Sequence, residues 1–374
     1  MVSKPSDRMR SLITRRSFLG GCIGVSGALL AGASQASGKL DQLVVGCWGG
    51  SSGAAVKASV GDPFEKEFGV KVVYDYGGDT EHKAKVRAEK GHQRLDVLYN
   101  TPGTAYVLAK EANALVPIAD MASLIPNLAD LYKNLADPNI WTEWGVAPWT
   151  YAWTLIYRTD KISKEDAAKV DSWAVLLDPK YKGKVGYPNI NWGNGYALLV
   201  LALIQGQGTV ESGHPREVDK GWELVPKIKS QVSTFTKSDM EAQTLFKSGE
   251  IWIAMRSSRE VPVYQKEGVP TGMFTNLKEG MVATNEIISV VRSGNALREE
   301  MAARFVNKAL SAEAQTVLAK NFFTPSNKRA QIPADVKDYV LTVDQLEKLN
   351  HWDWIWDAQM LDQWTERWNR MISS

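Results

Sequence analysis

The sequence predicts an α/β fold, in which helices alternate with strands that form a mostly parallel sheet. Two observations lead to this prediction. After residue 40, short runs of β-branched and aromatic residues alternate with helical segments. In addition, removing a predicted leader at residues 1–36 leaves about 338 of the 374 residues, which is more than one ordinary hydrophobic core uses. We therefore expect two domains.

The first third of the chain has a βαβαβ order. Strands are predicted at residues 43–47, 70–76 and 95–99, and helices at residues 54–68, 80–90 and 104–112, the first of them interrupted near Gly61. This order puts helices on both faces of a parallel sheet. In open sheets of this kind, ligands bind beyond the carboxyl ends of the strands. The loops that follow the three strands are therefore candidate ligand loops.

Each of these loops joins an aromatic residue to small or hydroxyl residues. The loops read WGGS at residues 48–51, YGGD at 76–79 and YNTP at 99–102. Such loops offer an aromatic face beside free backbone N–H donors at a helix start. Ordinary turn chemistry is the alternative and would explain the Gly-Gly pairs. It explains Trp48 at a strand end less well.

Residues 1–36 have the pattern of an export signal. The segment TRRSFL at residues 14–19 closely resembles the twin-arginine motif, and an apolar run follows it. Small residues then predict signal cleavage after Ala36, with Ala33 as the second choice. A membrane anchor is disfavoured because the run is short and glycine-rich for about 30 Å of hydrocarbon. A lipoprotein linked through Cys22 would lack an apolar region before the cysteine. We therefore predict a periplasmic protein exported by the twin-arginine route.

The chain without this leader is almost neutral and has one cysteine. The leader carries five basic residues and one acidic residue, so the net charge of the remainder is about −2. The slightly basic balance of the whole chain therefore gives no reason to expect nucleic acid as a partner. Cys47 alone remains, which excludes an internal disulfide and a cysteine-based metal cluster.

An aromatic strand is predicted near the middle of the chain. The period-2 alternation of a strand puts Trp149, Tyr151 and Trp153 on one face. Core packing explains such a face more often than a ligand cage does. Further along, Trp352, Trp356, Met360, Trp364 and Trp368 recur every four residues. This spacing predicts an apolar helical stripe that packs on its own domain, so these residues are kept out of the predicted site.

The chain resembles the type II periplasmic solute-binding proteins of ABC importers, in the branch with spermidine- and putrescine-binding proteins. The most specific segment is SWAVLLDPKYKGKV at residues 172–185, which is similar to the SWxxLxxPxYKGK segment of that family. Residues 148–158, 248–255 and 279–327 are similar to the strand into the second lobe, the strand that feeds the cleft, and the return crossing with its TPN-like turn.

This resemblance implies two lobes, each a mostly parallel sheet flanked by helices, with a ligand cleft between them that closes by hinge motion. Lobe one would comprise residues 40–147 and 286–324, and lobe two residues 148–285 and 325–374. The resemblance also implies that the cleft lies at particular positions of this sequence. The predicted binding residues are Trp48, Gly49, Thr101, Tyr106, Trp149, Tyr151, Trp192, Arg256, Ser257, Thr284 and Glu286.

Several of these positions depart from the pattern of polyamine binders. Glu286 falls where those proteins have an acidic residue for the ligand amine. Ser257 replaces a tryptophan, and Thr284 replaces another aromatic residue. Acidic residues are also expected after residues 185–188, where this chain has Asn189, Asn191, Trp192 and Asn194 instead. A second ammonium group would find no carboxylate there, which makes a long polyamine unfavourable.

We therefore expect a ligand with one amine and one acidic group. The amine would contact Glu286 and aromatic faces, and the acidic group would bind Arg256 or Arg259, as in an ω-amino acid or an opine-like conjugate. In the alternative interpretation, both arginines form surface ion pairs with Glu260 or Glu250.

The sequence holds few groups for catalysis. It lacks GxSxG, HExxH and CxxC motifs, and no GxGxxG follows the first strand. Four histidines, His82, His92, His214 and His351, are scattered among polar neighbours, which predicts solvated surface positions. We therefore predict no enzyme, cofactor or metal, and instead a monomeric receptor that delivers a small amine-containing solute to the permease subunits of an ABC importer. An exported cofactor enzyme and a ligand sensor of the same fold are the alternatives.

Overall fold

Ten strands join into one sheet in the computed structural model, which describes residues 40–89, 92–132, 143–193, 195–210 and 212–373. The predicted export signal and its cleavage site lie outside these residues. The strands are β1 (Gln42–Cys47), β2 (Lys71–Tyr76), β3 (Val97–Asn100), β4 (Val146–Arg158), β5 (Val185–Pro188), β6 (Val232–Thr236), β7 (Ile253–Ser257), β8 (Thr271–Met273), β9 (Val282–Val290) and β10 (Thr324–Pro325). Their order is β2-β1-β3-β9-β4-β7-β5-β6, and β8 and β10 pair with β4.

Helices cover the sheet. They are α1 (Gly50–Val56), α2 (Asp62–Phe68), α3 (Asp79–Glu89), α4 (Pro102–Ala112), α5 (Lys164–Ala168), α6 (Ile190–Gly193), α7 (Tyr196–Ile204), α8 (Asp219–Trp222), α9 (Val225–Gln231), α10 (Asp239–Ser248), α11 (Glu260–Lys266), α12 (Ala296–Ala309), α13 (Ala312–Lys320), α14 (Val343–Leu346) and α15 (Trp354–Ser373). None of the helices in the described ranges combines the length and the apolar character needed to cross a membrane.

The predicted α/β order of the first third is confirmed. Strands β1, β2 and β3 fall on the predicted segments and pair in parallel. The predicted interruption of the first helix takes the form of a π-helical turn at Lys57–Gly61 between α1 and α2. Gly61 lies against Tyr74, so a side chain there would overlap the tyrosine hydroxyl. Pro63 follows and removes a backbone N–H donor, which favours a break in the regular helix.

Two long strands connect the two parallel parts of the sheet. Strand β9 is antiparallel to both β3 and β4, and β4 is in turn antiparallel to β7. Beyond β7, strands β5 and β6 are again parallel. In the β4–β9 register, Trp149 is opposite Glu286 and Tyr151 is opposite Thr284. The crossing strands therefore bring residues about 135 positions apart in the chain into one small region.

Two large apolar cores lie on either side of the crossing strands. One core uses β1–β3 with α12 and α13, and the other uses β5, β7 and α7 with the C-terminal helix. Trp153 on β4 packs against both cores. Each core follows from the sequence pattern, because the strands that are buried on both faces are nearly continuous apolar runs.

The C-terminal helix α15 carries the predicted tryptophan stripe. Trp364 and Trp368 are buried in the second core, and Trp352 is buried just before the helix begins. The start of α15 also packs closely on α4, where a side chain at Gly103 would come within 2.6 Å of the Trp354 carbonyl oxygen. The helix therefore contacts elements of both parts of the sheet.

Asp357 is a buried carboxyl group near the start of α15. It is 3% exposed, and its Oδ1 accepts a hydrogen bond from Trp352 Nε1 at 3.2 Å. The backbone N–H of Gly195 also donates to this carboxylate. These hydrogen bonds do not offset the loss of hydration, and burial raises the pKa of Asp357 to about 7.

The Asp357→Asn variant is expected to change how stability depends on pH. Because the pKa of Asp357 is raised, its protonation stabilises the fold fully below about pH 4, and this contribution is lost as the pH rises through 7. The asparagine cannot ionise, so relative to the native protein it should gain on the order of 3–4 kcal/mol between pH 4 and pH 9. Urea unfolding at a series of pH values measures this difference. Asp362→Asn, at an exposed position of the same helix, is the control. Parallel pH profiles for the Asp357 variant and the native protein would contradict the expectation.

Candidate ligand-binding site

A cavity lies where the carboxyl ends of β1, β2, β3 and β7 meet the crossing strands. It holds about 710 Å³ of empty space, including its open mouth. Its lining combines aromatic, acidic and basic side chains. These residues are Trp48, Ser52, Asp79, Thr101, Tyr151, Trp153, Trp192, Tyr196, Asp239, Arg256, Ser257, Arg259, Glu260, Thr284 and Glu286. The position agrees with the general rule for α/β sheets, in which ligands bind beyond the carboxyl ends of the strands.

Most of the predicted site residues meet in this cavity. Those that line it are Trp48, Thr101, Tyr151, Trp192, Arg256, Ser257, Thr284 and Glu286. Gly49 lines an adjoining space of about 630 Å³, which shares Trp48, Trp192 and Asp239 with the first cavity.

Two predicted residues lie elsewhere. Trp149 is fully buried behind the cavity wall, stacked on Tyr99 with a ring distance of 5.1 Å. Tyr106 points away from the cavity and packs edge-on against Trp144 at 6.3 Å. The reason is the helical geometry of α4, which turns Tyr106 away from the loop in which Thr101 lies. Trp153, which shares a strand face with Tyr151, lines the cavity instead.

Glu286 is a buried carboxylate held by two aromatic donors. It is 7% exposed, and its Oε2 accepts a hydrogen bond from Trp149 Nε1 at 2.6 Å. Its Oε1 accepts from the Tyr151 hydroxyl. Both donors favour the ionised form, but burial outweighs them and raises the pKa of Glu286 to about 7. Trp149 therefore serves the cavity by orienting Glu286.

Asp79 is a second carboxylate in the cavity, and the sequence analysis did not identify it. It is 4% exposed and begins α3. Its Oδ2 accepts hydrogen bonds from the Thr101 backbone N–H at 3.0 Å and from Thr104 Oγ1 at 2.9 Å. Its Oδ1 is buried without a hydrogen-bond partner among the described residues. Asp79 is the last residue of the candidate ligand loop YGGD, so the sequence pattern that predicted this loop could also have identified Asp79.

Arg256 is neutralised within the protein. Its guanidinium forms ion pairs with Asp239 and Glu260, and the side chain is 2% exposed. The structure therefore gives the Glu260 ion pair of the alternative interpretation, although the pair is buried and not on the surface. Glu250 takes no part and accepts from Ser248 instead. A ligand anion near Arg256 would also lie near two carboxylates.

Arg259 differs from Arg256. Its guanidinium donates to the hydroxyl of Ser51, at 3.2 Å from Nη1 and 3.3 Å from Nη2. Its Cζ atom lies over the Phe323 ring, 4.1 Å from the ring centre. In the described part of the chain, no carboxylate forms an ion pair with it.

The asparagine segment after β5 has structural partners. The Asn189 side chain accepts from the backbone N–H of Asn191 at 3.0 Å. The Asn191 carbonyl accepts from Thr80 Oγ1 at 2.8 Å, which joins α3 to α6 beside the adjoining space. Trp192 then lines the cavity, and Asn194 lies outside the described residues.

The prediction of a solvated His82 is wrong. His82 is buried on the inner side of α3, where its ring lies beside Gly46 of β1 and its Nε2 is 3.0 Å from the Asp75 carbonyl. Cys47 is also buried, and burial raises the pKa of its thiol to about 12. Across the described ranges, no three His, Cys, Asp or Glu residues are placed to bind one metal ion.

Comparison with known proteins decides the family. Residues 59–342 match the model of the bacterial extracellular solute-binding proteins. The chain belongs to this family. Among curated protein sequences, none matches this solute-binding protein significantly.

Solved structures of periplasmic binding proteins have a similar fold. AgtB from A. tumefaciens R10 in complex with agropinic acid is 23% identical, with a TM-score of 0.73 over 89% of this chain and 99% of that chain. AfuA from Actinobacillus pleuropneumoniae with fructose-6-phosphate is 20% identical, with a TM-score of 0.71 over 89% and 98%. A GABA receptor is 22% identical, with a TM-score of 0.70 over 88% and 97%. These similarities show the two-lobe α/β fold.

Proposed function

We propose that this solute-binding protein is the periplasmic receptor of an ABC importer and captures a small amine-containing solute in the cavity. The observation that carries the proposal is the presence of two carboxylates, Asp79 and Glu286, that face one aromatic-lined cavity. Neither forms an ion pair with a cationic side chain of the described residues. Buried carboxylates without a cation are costly, and a ligand ammonium would remove that cost.

Aromatic rings supply the rest of an ammonium site. Trp48, Tyr151, Trp153, Trp192 and Tyr196 all line the cavity. Their faces attract a cation by its interaction with the ring electrons, and the effect is larger when the cation is desolvated. Together with the two carboxylates, they favour an ammonium group over a neutral or purely anionic solute.

Asp79 changes one argument about the size of the ligand. The segment after β5 has asparagines where polyamine binders have acidic residues. Glu286 was therefore the single carboxylate expected for a ligand amine, which argued against a long polyamine. Asp79, at the end of the loop after β2, provides a second carboxylate in the same cavity. Diamines and ω-amino acids therefore both belong to the proposed ligand class, and so do opine-like conjugates. Among the neighbouring structures, one is a complex with agropinic acid and one is called a GABA receptor, while a third holds fructose-6-phosphate, which is not an amine.

The proposed mechanism is capture by lobe closure. Lobe one, at residues 40–147 and 286–324, would supply Trp48, Asp79 and Glu286, and lobe two, at residues 148–285 and 325–374, would supply Trp192 and the arginines. After twin-arginine export and removal of residues 1–36, the monomer would bind its solute between the lobes. The closed form would then dock on the membrane permease subunits.

Amine binding is expected to weaken as the pH falls below 7. Burial raises the pKa of Glu286 to about 7, and a bound ammonium favours the ionised carboxylate. Affinity should therefore be high above pH 7 and should fall roughly tenfold between pH 8 and pH 6. Titration calorimetry at both pH values, with diamines and ω-amino acids of two to six carbons, measures the change.

Glu286→Gln is the matched variant because it keeps the shape of the side chain and cannot ionise. Its affinity for amines should be lower than that of the native protein and nearly independent of pH over this range. The proposal fails if none of these amines binds the native protein at millimolar concentration.

A further inference from the structure

The cavity contains one buried cation that no protein carboxylate neutralises. Arg259 is 2% exposed and forms no ion pair with any carboxylate of the described residues. Ser51 provides one neutral oxygen for the two Nη atoms, and Nε is buried without a partner. An unpaired buried guanidinium is strongly unfavourable. Because this guanidinium lies in a ligand cavity, an anionic group of the ligand is the partner that would neutralise it.

Arg256 shows that the chain can neutralise an arginine in this cavity. It lies three residues earlier and is equally buried, yet both Asp239 and Glu260 pair with it. Glu260, which directly follows Arg259, turns to Arg256 instead. The lack of a carboxylate at Arg259 is therefore a local property of that position, and it occurs in a cavity that is otherwise rich in acidic groups.

Part of the Arg259 guanidinium has no hydrogen-bond acceptor among the described residues. The Phe323 ring covers one face of the guanidinium, at 4.1 Å from the ring centre. A planar guanidinium that stacks on a ring still presents its N–H groups within its own plane. Five donors are available on a guanidinium, and Ser51 can engage two of them. The remaining donors suit the two oxygens of a carboxylate, which can be bound by two parallel hydrogen bonds.

Glu286 and Arg259 are close enough to influence each other. The Arg259 guanidinium lowers the pKa of Glu286 and partly opposes the effect of burial. Both groups line the same cavity, but they form no direct ion pair. The two opposite charges therefore line one cavity without pairing with each other, which suits a small molecule with two charged ends.

We propose that Arg259 binds a carboxylate of the solute while Asp79 and Glu286 bind its ammonium group, so that the substrate class is a zwitterionic amino acid. This inference rests on the proposed function, because it assumes that the two carboxylates bind an amine. It assigns the second half of the ligand to Arg259 and not to Arg256.

The experiment compares three matched ligand series by titration calorimetry at pH 8. The series are ω-amino acids of two to six carbons, diamines of the same lengths, and the corresponding monoamines. Each series is measured on the native protein and on Arg259→Gln, Arg259→Lys and Arg304→Gln. Arg304 forms a partly exposed ion pair with Glu300 outside the cavity, so its variant is the control for losing one arginine.

The expected result has two parts. In the native protein, the best ω-amino acid should bind at least tenfold more tightly than the monoamine and the diamine of equal length. Arg259→Gln should remove this preference by weakening the ω-amino acid at least tenfold while changing the monoamine less than twofold. Arg259→Lys should restore part of the preference, since it returns the charge without the paired donors. Arg304→Gln should match the native protein.

Three results would overturn the inference. One is a diamine or a monoamine that binds the native protein as tightly as the best ω-amino acid. Another is an ω-amino acid preference that survives in Arg259→Gln. These two leave the proposed amine function standing. The third is the absence of binding by all three series, which would overturn the proposed function together with the inference. The ranking in the native protein gives an answer even if the Arg259 variants do not fold.

Discussion

Replacing Asp79 with asparagine is expected to weaken amine binding by roughly 10- to 100-fold without unfolding the protein. A hydrogen bond to a charged group contributes about 1.5–3 kcal/mol, and this variant removes the negative charge that a ligand ammonium would meet. The asparagine oxygen can still accept from Thr101 and Thr104, which hold the side chain in place. Calorimetric titration of the native protein and the variant with the tightest-binding amine measures the loss.

Two controls separate binding from folding in this experiment. Asp362→Asn removes a carboxylate from an exposed face of α15 and should bind amines like the native protein. Urea unfolding of Asp79→Asn should give a stability no lower than that of the native protein, because a buried charge has been removed. Unchanged amine affinity in Asp79→Asn would remove Asp79 from the binding site.

The Arg256→Met variant is expected to lose on the order of 3–5 kcal/mol of stability. Methionine fills similar space, but it leaves the buried Glu260 and the partly buried Asp239 without their cation. Removing one partner of a buried ionic network is far more destabilising than removing a surface pair. Urea unfolding followed by tryptophan fluorescence measures the change.

Arg304→Met is the matched control for Arg256→Met. It breaks an ion pair with Glu300 in which both side chains are about 40% exposed, so its cost should stay below about 1 kcal/mol. Equal losses of stability in the two variants would show that the buried ion pairs of Arg256 contribute no more to stability than an exposed pair does. A combined variant that also carries Glu260→Gln should recover part of the loss, since it removes one of the two unpaired carboxylates.

The sequence predicts the first part of the fold well because local signals and tertiary packing agree there. Strands β1 to β3 are rich in apolar and β-branched residues, and glycine pairs follow β1 and β2, a pattern that few alternative structures fit. Trp48 is placed correctly for the same reason, since it directly follows a buried strand. The sheet itself determines where a residue directly after a strand lies, so its place can be predicted without knowing the tertiary contacts of its side chain.

The remaining errors concern the directions in which side chains point, which depend on tertiary contacts. Tyr106 lies one turn into α4, and the packing of that helix turns its ring to Trp144. His82 has polar neighbours in sequence, yet α3 packs its inner side on β1. The sequence also cannot show which of Arg256 and Arg259 is neutralised. That outcome depends on Asp239, which starts α10 on a neighbouring element of the fold.

The central place of β9 also determines when the protein can fold during its synthesis. Strand β9 (Val282–Val290) lies between β3 and β4, so β3 keeps an open edge until residue 290 has left the ribosome. The packing of α15 on α4 also requires the start of α15, which lies more than sixty residues after β9. Pairings this far apart in sequence form slowly, and the nascent chain cannot complete its sheet segment by segment. Folding is therefore completed only after α15 has been synthesised, which suits the export of a folded protein that the signal predicted at residues 1–36 implies.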